Sequence, residues 1–309
     1  MGAERILITG ALGFMGKACI AAIRKKWPDM EIVGLDRDSP QGRLFVDRFI
    51  PIDLVTEPST EVASLLNEIK PDIILQLASV IKIGADQGLF AQNVQIGYSM
   101  YGALLVHSKS APKVVVLQVG TAAEYGLRPM HELISESDAL CPLDFYGRSK
   151  MMQSILMQEL HRKTGMDIRI ARPFNAVGIA MSDKLFFPTA IRRVLAASDK
   201  VPFEVYGLSD VRDYIADEDV ADGILHVMQS GVPGGVYNLA SGRGVTGREV
   251  IECMFRLAGL KTPQLVEIKK DNPSFSVANV SKIKKLGFEA RITYEHVISS
   301  MMERNGKNT

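Results

Sequence analysis

The chain contains few cysteines and tryptophans, and its positive and negative charges nearly balance. Its 309 residues include three cysteines and one tryptophan, and 36 basic residues against 35 acidic ones leave a formal net charge of +1. Isolated cysteines form neither a metal-binding spacing nor a disulfide framework. A nucleic-acid-binding protein normally carries a basic excess. We therefore expect no metal site, no nucleic-acid partner and a reducing environment.

Long apolar runs are also missing. The longest stretches, residues 73–81 and 113–119, are strand-sized and far short of the roughly 20 residues that a membrane helix needs. Glu4 and Arg5 lead straight into a short apolar segment, which is not the pattern of a signal peptide. With 47% hydrophobic residues, the chain can still build a packed core. The sequence predicts a soluble, cytoplasmic protein without a membrane partner.

Short apolar strands alternate with helical periodicity through the first half of the chain. Predicted strands cover residues 5–9, 31–36, 44–52, 72–77, 113–119 and 167–171, and predicted helices cover 13–26, 59–69, 90–109 and 146–164. Continuously apolar strands indicate burial on both faces. Their alternation with helices predicts an α/β fold with a doubly wound parallel sheet.

After Arg172-Pro173 the predicted helices and strands become shorter, and proline and glycine become more frequent. We expect a cofactor-binding domain at residues 1–170 and a smaller C-terminal α/β lobe for the substrate at 171–309. Residues of about 210–240 are expected to return to the sheet of the first domain.

Gly10, Gly13 and Gly16 follow the first predicted strand and open the first helix. Such glycines permit a tight turn, close approach of a pyrophosphate and close packing of helix on strand. The helix N-terminus adds free N–H groups and the positive end of a dipole. Asp36 ends the second strand about 20 positions further on, where it can accept hydrogen bonds from an adenosine ribose. The pattern predicts a Rossmann dinucleotide-binding domain.

Asp36 also bears on the choice of cofactor. A carboxylate favours a free 2′-hydroxyl and repels a 2′-phosphate, so NAD is the predicted cofactor. Arg37 could pair with such a phosphate, which leaves NADP open as the alternative. Asp53, after the third strand, is a candidate for the adenine edge, with a turn or helix-capping role as the other interpretation.

Tyr146 and Lys150 form a Tyr-x-x-x-Lys pair at the start of a long predicted helix. Four residues apart, their side chains share one helix face. A phenol has an ordinary pKa near 10, which is high for acid–base work at neutral pH, and a nearby ammonium is expected to lower it. Thr121, directly after the strand at 113–119, offers a hydroxyl to a substrate oxygen, with a strand-end cap as the alternative.

Further motifs accompany the glycine turn and the Tyr-x-x-x-Lys pair: Gln76-Leu77-Ala78, Asn93, Tyr125-Gly126, Arg172-Pro173-Phe174-Asn175, Arg212-Asp213-Tyr214 and Val236-Tyr237-Asn238-Leu239-Ala240-Ser241-Gly242. In this order they resemble the extended short-chain dehydrogenases/reductases of the NAD-dependent epimerase/dehydratase family, whose members act on nucleotide sugars. The resemblance covers nearly the whole chain. Many members form dimers, and the apolar helices at 90–109 and 146–164 fit a homodimer.

The resemblance also implies roles for individual residues. Thr121, Tyr146 and Lys150 would be the catalytic residues. The cofactor would contact Gly10, Gly13, Phe14, Met15, Gly16, Asp36, Arg37, Asp53, Leu54, Leu77, Ala78, Ser79, Asn93, Tyr146, Lys150 and Pro173. The nucleotide-sugar substrate would contact Ser79, Thr121, Ala122, Tyr146, Asn175, Arg193 and Arg212.

The type of reaction depends on the residues after Thr121. Family dehydratases place an Asp-Glu pair there, whereas this chain has Ala122 and Ala123, which cannot transfer protons. Several segments, among them 120–126 and 207–214, most resemble the GDP-4-keto-6-deoxy-mannose reductase branch. That branch implies reduction of the C4 ketone of an NDP-4-keto-6-deoxyhexose, with Tyr146 as the proton donor. Because the branch generally uses NADPH and lacks an acid at the position of Asp36, an NAD-dependent 4-epimerase that recycles a tightly bound NAD remains the alternative.

Overall fold

Strands and helices alternate along the computed structural model, which describes residues 4–42, 44–81, 86–109, 113–128, 131–268 and 273–306. The strands are β1 (Arg5–Thr9), β2 (Glu31–Asp36), β3 (Arg48–Pro51), β4 (Ile73–Gln76), β5 (Val115–Val119), β6 (Asp167–Pro173), β7 (Asn175–Val177), β8 (Phe203–Tyr206), β9 (Val211–Ala216), β10 (Val236–Leu239), β11 (Gly244–Thr246), β12 (Leu265–Ile268) and β13 (Phe275–Ser276). The helices are α1 (Phe14–Lys26), α2 (Ser59–Ile69), α3 (Gln87–His107), α4 (Phe145–Thr164), α5 (Phe186–Leu195), α6 (Asp217–Ser230), α7 (Gly247–Leu257), α8 (Ser281–Lys284) and α9 (Tyr294–Gly306).

The main sheet has the strand order β10-β6-β5-β4-β1-β2-β3 in the described part of the chain, and all its neighbouring strands run parallel. From β1 the chain adds β2 and β3 on one side and then crosses to β4 on the other. The carboxyl ends of β1 and β4 therefore flank the crevice where open α/β sheets bind ligands. The predicted doubly wound parallel sheet is confirmed.

Helices cover both faces of this sheet, as the apolar strands require. Ile6 and Ile8 of β1 point into a core shared with α1 and α6, whereas Leu7 between them points into a second core with α2, α3 and α4. Both faces of β1 are thus buried, which explains its unbroken apolar sequence. Within the described residues, no helix combines the length and apolarity needed to cross a bilayer.

The chain after β6 builds the smaller lobe and then partly rejoins the main sheet. In the lobe, β9 pairs with β7, β11 and β13, β8 pairs with β12, and α5, α7 and α9 share a core. The segment 210–240 divides between the two units. Its first strand, β9 with Tyr214, stays in the smaller sheet because three lobe strands pair with it, whereas α6 packs on α1 and β10 pairs with β6.

Some predicted element ends were wrong. The strand expected at 44–52 is limited to β3, because Leu44 and Val46 pack against the core beside α1 instead of pairing. The helix expected at 90–109 begins earlier, at Gln87. Asp86 caps it by accepting a hydrogen bond from the Leu89 amide.

Candidate active site

A cavity of about 640 Å³ runs along the carboxyl edge of the main sheet, from the turn between β1 and α1 to Asn175 at the start of the smaller lobe. It passes between the ends of β1 and β4, where Leu77 and Ala78 donate backbone hydrogen bonds to the Thr9 hydroxyl. Most residues that the sequence predicts to contact the cofactor line this cavity. They are Gly10, Gly13, Phe14, Met15, Gly16, Asp36, Arg37, Asp53, Leu54, Leu77, Ala78, Ser79, Tyr146, Lys150 and Pro173.

Gly10 and Gly16 are required by the backbone of the turn that opens this cavity. Gly10 has a φ of +70°, and a Cβ atom there would lie 2.9 Å from the Ala78 nitrogen. A Cβ atom at Gly16 would lie 2.3 Å from the Gly10 carbonyl oxygen. Gly13 is the N-cap of α1 and has no side chain with which to cap it. The amides of the first turn can therefore serve an anionic ligand such as a pyrophosphate.

Asp36 lies at the end of β2, where the cavity meets solvent. Its two carboxylate oxygens accept the backbone amides of Leu12, at 2.9 Å, and Arg37, at 2.8 Å. This anchors a negative charge beside the glycine turn. Asp53 lines the same end, and its Oδ1 accepts the Val55 amide at 2.9 Å, so this carboxylate also supports a turn. Together these residues fit the adenosine half of NAD.

Asn93 was predicted to contact the cofactor, and its position is different. It is fully buried in α3 and does not line the cavity. Its Oδ1 accepts the Val80 amide at 2.7 Å and the Ser79 hydroxyl at 3.2 Å, and its Nδ2 donates to the Val80 carbonyl at 3.0 Å. Asn93 therefore holds the segment after β4, which itself forms the cavity wall. Ser79, which Asn93 holds, lines the cavity itself.

Thr121, Tyr146 and Lys150 all line the cavity, although they come from two separate segments. Thr121 is the N-cap of a 3-10 turn, Ala122–Glu124, that follows β5. Tyr146 and Lys150 lie on the first turns of α4, which Asp144 caps. A Cβ atom at Gly147 would lie 2.6 Å from the Ala123 carbonyl oxygen, so glycine allows α4 to approach the 3-10 turn. Thr121 and Tyr146 thus lie in the wall of the same cavity.

Burial controls the protonation of the Tyr146 and Lys150 side chains. It raises the pKa of Tyr146 far above its ordinary value, with the negative charges of Glu124 and Asp144 adding to the effect, and a hydrogen bond with Ser79 partly offsets it. Burial lowers the pKa of Lys150 to about 8, against an opposing effect of Glu124. The net change is opposite to the lowering that the sequence predicted, because burial and the two carboxylates raise the pKa of the phenol. At neutral pH Tyr146 is therefore a phenol with a proton to donate.

The loop of Thr121 is fastened to the sheet by buried polar groups. Glu124 Oε1 accepts the Thr121 amide at 2.9 Å, and Glu124 Oε2 lies 2.9 Å from Arg172 Nε. Arg172 Nη1 donates to the Tyr125 hydroxyl, which donates to Asn238 Oδ1 at 2.7 Å. This network joins the loop after β5 to β6 and β10. Glu124 is thus held by Arg172 and the Thr121 amide, and the Ala122 and Ala123 side chains cannot transfer protons.

Two smaller cavities, of about 350 and 290 Å³, continue from the main one into the lobe, and Asn175 and Arg212 line both. Thr121 and Ala122 line the smaller of the two. Asn175 Nδ2 donates to the Asp213 carbonyl at 3.0 Å. Arg212 Nη2 donates to the Ser274 hydroxyl at 2.6 Å, and Asp210 lies 3.4 Å away. The guanidinium is therefore held at the junction of the cavities, where it can meet an anionic group.

Arg193 was predicted to contact the substrate, and the structure places it away from the other predicted substrate-binding residues. The residue lies on the outer side of α5 and lines none of the three cavities. Its guanidinium sits 4.7 Å from the centre of the Phe203 ring and donates to the Glu204 carbonyl. The periodicity of α5 explains this placement, since Ile191 and Val194 turn inward and Arg193 must face out.

Several residues that build the site were not named as functional from the sequence. Cavity-lining residues of this kind are Leu12, Leu35, Asp38, Ile52, Val55, Val80, Ile81, Ile96, Val119, Gly120, Phe174, Ala176 and Leu185. The role of Glu124 in holding Thr121 could have been predicted from the sequence. Thr121 and Glu124 form a capping box, and its Thr-x-x-Glu pattern is readable in a sequence.

The fold and the site define a dinucleotide-dependent enzyme with a tyrosine–lysine pair. The model of the NAD dependent epimerase/dehydratase family matches residues 6–240, and the chain therefore belongs to this family.

Individual relatives are similar over most of their length. GDP-6-deoxy-D-talose 4-dehydrogenase of Aggregatibacter actinomycetemcomitans is 26% identical over 307 residues, 97% of each chain. dTDP-6-deoxy-L-talose 4-dehydrogenase (NAD(P)(+)) of Kitasatospora kifunensis is 23% identical, over 84% of this chain and 80% of its own. Among solved structures, dTDP-glucose 4,6-dehydratase of Bacillus anthracis in complex with NAD superimposes with a TM-score of 0.84, at 21% identity, over 99% of this chain and 97% of that one.

Proposed function

We propose that the protein is an NAD(H)-dependent nucleotide-sugar oxidoreductase that reduces the C4 ketone of an NDP-4-keto-6-deoxyhexose. The observation that carries this proposal is the placement of the Tyr146 phenol in the wall of the cavity that also holds the glycine turn and Lys150. Together with Thr121 it faces the cavity between the glycine turn and Arg212. A ketone oxygen held there would meet a proton donor.

The residues of the site divide the reaction among them. Bound NADH would supply a hydride to C4. Tyr146 would donate its proton to the C4 oxygen as the carbonyl becomes an alcohol, and water would later return the proton. The Thr121 hydroxyl would orient the same oxygen, and the Lys150 ammonium would favour the transient phenolate.

Substrate binding would use the far end of the cavities. Asn175 and Arg212 line the two smaller cavities and would contact the diphosphate of a sugar nucleotide bound beside Thr121. A planar guanidinium, already oriented by Ser274, suits phosphate oxygens. Binding energy from the remote nucleotide would then hold C4 against the nicotinamide. Ser79, beside Tyr146, and Ala122 would contact the sugar.

NAD fits the adenosine end of the main cavity. The glycine turn leaves no room for side chains, and the Asp36 carboxylate, which accepts the Leu12 amide of this turn, would repel a 2′-phosphate. The Bacillus anthracis structure that shares this fold contains NAD. These points support NAD over NADP, with Arg37 as the group that could accommodate NADP.

The names of the Aggregatibacter and Kitasatospora relatives support the reductase over the dehydratase. Both are described as 4-dehydrogenases of 6-deoxyhexose nucleotides, and oxidation at C4 is the reverse of the proposed reduction. A dehydratase also needs an acid–base pair near C5 and C6. In this chain Ala122 and Ala123 occupy the corresponding loop, and Glu124 is paired with Arg172.

The test combines purified protein with a panel of NDP-4-keto-6-deoxyhexoses and NADH or NADPH. Stoichiometric loss of reduced cofactor with formation of the 4-hydroxy sugar supports the proposal. Tyr146→Phe should abolish turnover while NADH binding persists. Interconversion of 4-hydroxy sugar isomers without net cofactor consumption would replace the reductase by an epimerase.

A homodimer is part of the proposal. The long helices α3 and α4 lie side by side and expose apolar side chains, among them Tyr98, Val106 and Ile155, of which Tyr98 is 60% exposed. A second copy of the chain could bury this face by packing its own α3 and α4 against it.

A further inference from the structure

Lys150 forms a hydrogen bond with a second buried side chain in the wall of the cavity. Its Nζ donates to Gln153 Oε1 at 2.8 Å, and the side chains of Lys150 and Gln153 are buried. Gln118, at the end of β5, donates from Nε2 to the same oxygen at 3.3 Å. Gln153 Nε2 in turn donates to the Asn93 carbonyl at 2.7 Å. The glutamine amide therefore joins the lysine to α3 and to the sheet.

The orientation of this amide is set by the chemistry of its partners. An ammonium has donors only and a backbone carbonyl is an acceptor only. Gln153 must therefore turn its oxygen to Lys150 and its NH₂ group to Asn93. A reversed amide would place two donors together and two acceptors together, with no solvent to relieve the conflict.

The packing of α3 on α4 makes room for Gln153. A Cβ atom at Gly97 of α3 would lie 2.8 Å from Gln153 Cγ. Glycine at this position lets the glutamine side chain pass between the helices and reach the Asn93 carbonyl. Three contacts from three elements thus fix one side chain beneath the catalytic lysine.

We propose that Gln153 is a positioning residue that holds the Lys150 ammonium at the cavity wall and stabilises its charged form. The effect on turnover rests on the proposed reductase function. A hydrogen bond accepted from an ion is stronger than one between neutral groups. It counteracts the desolvation that lowers the pKa of Lys150 to about 8.

The charges that face Lys150 are few in the described structure. Tyr146 lies on its own helix, and Glu124 acts from the 3-10 turn with its carboxylate paired to Arg172. From α3 and β5 the neighbouring groups are uncharged, the Asn93 carbonyl and the Gln118 amide. Changing the charge at position 153 should therefore move the pKa of Lys150 directly.

Two variants at this position test the proposal through opposite shifts. Gln153→Met removes the acceptor. The pKa that describes the alkaline limb of the pH profile of kcat should therefore fall by about one unit. Gln153→Glu loses the donor to the Asn93 carbonyl but places a carboxylate beside Lys150, and it should raise this pKa by about one unit. At pH 8 Gln153→Met should reduce kcat about fivefold, while the KM of the sugar stays within about twofold. Gln158→Met and Gln158→Glu, at a half-exposed position of α4, are the matched controls and should leave the limb in place.

If the variants lose activity but the alkaline limb does not move, or if it moves in the same direction in Gln153→Met and Gln153→Glu, the proposal is overturned. Gln153 would then be a packing residue. A direct titration separates this outcome from failure of the proposed function. Protein labelled with ¹³C at lysine Cε reports the pKa of Lys150 by NMR, with the resonance identified by its loss in Lys150→Met. If no 4-keto sugar is reduced, the reductase proposal fails, and this titration of wild type, Gln153→Met and Gln153→Glu still decides the role of Gln153.

Discussion

Arg172 and Glu124 form a buried ion pair, with Arg172 Nε 2.9 Å from Glu124 Oε2 and the two side chains 2% and 0% exposed. The residues are 48 positions apart in the chain. Because the second carboxylate oxygen accepts the Thr121 amide, the pair connects the threonine of the candidate active site to β6. The integrity of the site and the stability of the fold therefore depend on the same contact.

Removing the carboxylate should destabilise the protein strongly. Glu124→Gln leaves the Arg172 charge buried without a counter-ion, and we expect a loss of about 3–5 kcal/mol in the free energy of unfolding. Urea denaturation measures it. Glu68→Gln, which breaks the exposed pair with Arg48, is the control and should cost less than about 1 kcal/mol. Equal losses in the two variants would contradict a dominant role for the buried pair.

The carboxylate of Asp36 should determine cofactor preference. In Asp36→Asn the repulsion of a 2′-phosphate is lost, so the ratio of the NADPH and NADH dissociation constants should fall roughly tenfold or more, a change of about 1.4 kcal/mol. Fluorescence titration with each cofactor measures the ratio. Asp29→Asn removes the same charge at an exposed turn before β2 and should leave the ratio unchanged. An unchanged ratio in Asp36→Asn would mean that other groups select the cofactor.

Arg212 and Arg193 should differ sharply in their effect on substrate. Arg212→Lys loses the planar fork at the junction of the cavities, and the KM of the nucleotide sugar should rise roughly tenfold or more. Arg193→Lys, on the outer side of α5, should leave KM within about twofold. Steady-state kinetics with both variants makes the comparison. A larger effect at Arg193 would support the prediction made from the sequence.

Lys150 should lower stability at neutral pH. Its folded-state pKa of about 8 lies below the value of about 10.4 in an unfolded chain, so burying the ammonium costs about 3 kcal/mol below pH 8. Between about pH 8 and pH 10.4 the unfolded state binds more protons, and the cost disappears as pH rises. Lys150→Met should therefore be more stable than wild type at pH 7, by up to about 3 kcal/mol, with a gap that closes toward pH 10.

Denaturant unfolding at pH 7 and pH 10 checks this prediction. The exposed Lys17→Met on α1 is the control and should change the unfolding free energy by less than about 0.5 kcal/mol at either pH. A gap between wild type and Lys150→Met that is constant with pH would show that the lysine is not desolvated as described.

The face of α3 and α4 should mediate dimerisation. Ile155→Asp introduces a charge on an exposed position of α4, and burying that charge in an interface is costly. The variant should be a monomer by light scattering after gel filtration, whereas wild type should have twice that mass. Val232→Asp, at an exposed turn outside this face, should remain dimeric. A monomeric wild type would end the homodimer proposal.

Features with a local cause were predictable from the sequence alone. The strand β1, the turn of Gly10 and Gly16, and the pairing of Tyr146 with Lys150 on one helix face depend on neighbours within a few residues. Apolar periodicity, the steric freedom of glycine and the helical repeat act at that range. The parallel sheet and the NAD-binding turn follow from the same local rules.

Tertiary structure decided what depends on distant parts of the chain. Only the pairing of β9 in the smaller sheet brings Arg212 to the cavities, and only the contact of α3 with α4 brings Gln153 to the Asn93 carbonyl. The protonation of Tyr146 belongs to the same group. The Lys150 ammonium, four residues away, predicted a lower pKa for the phenol, but burial, to which several separate elements contribute, raises it. Desolvation and long-range hydrogen bonds depend on which surfaces meet, and local sequence patterns do not contain that information.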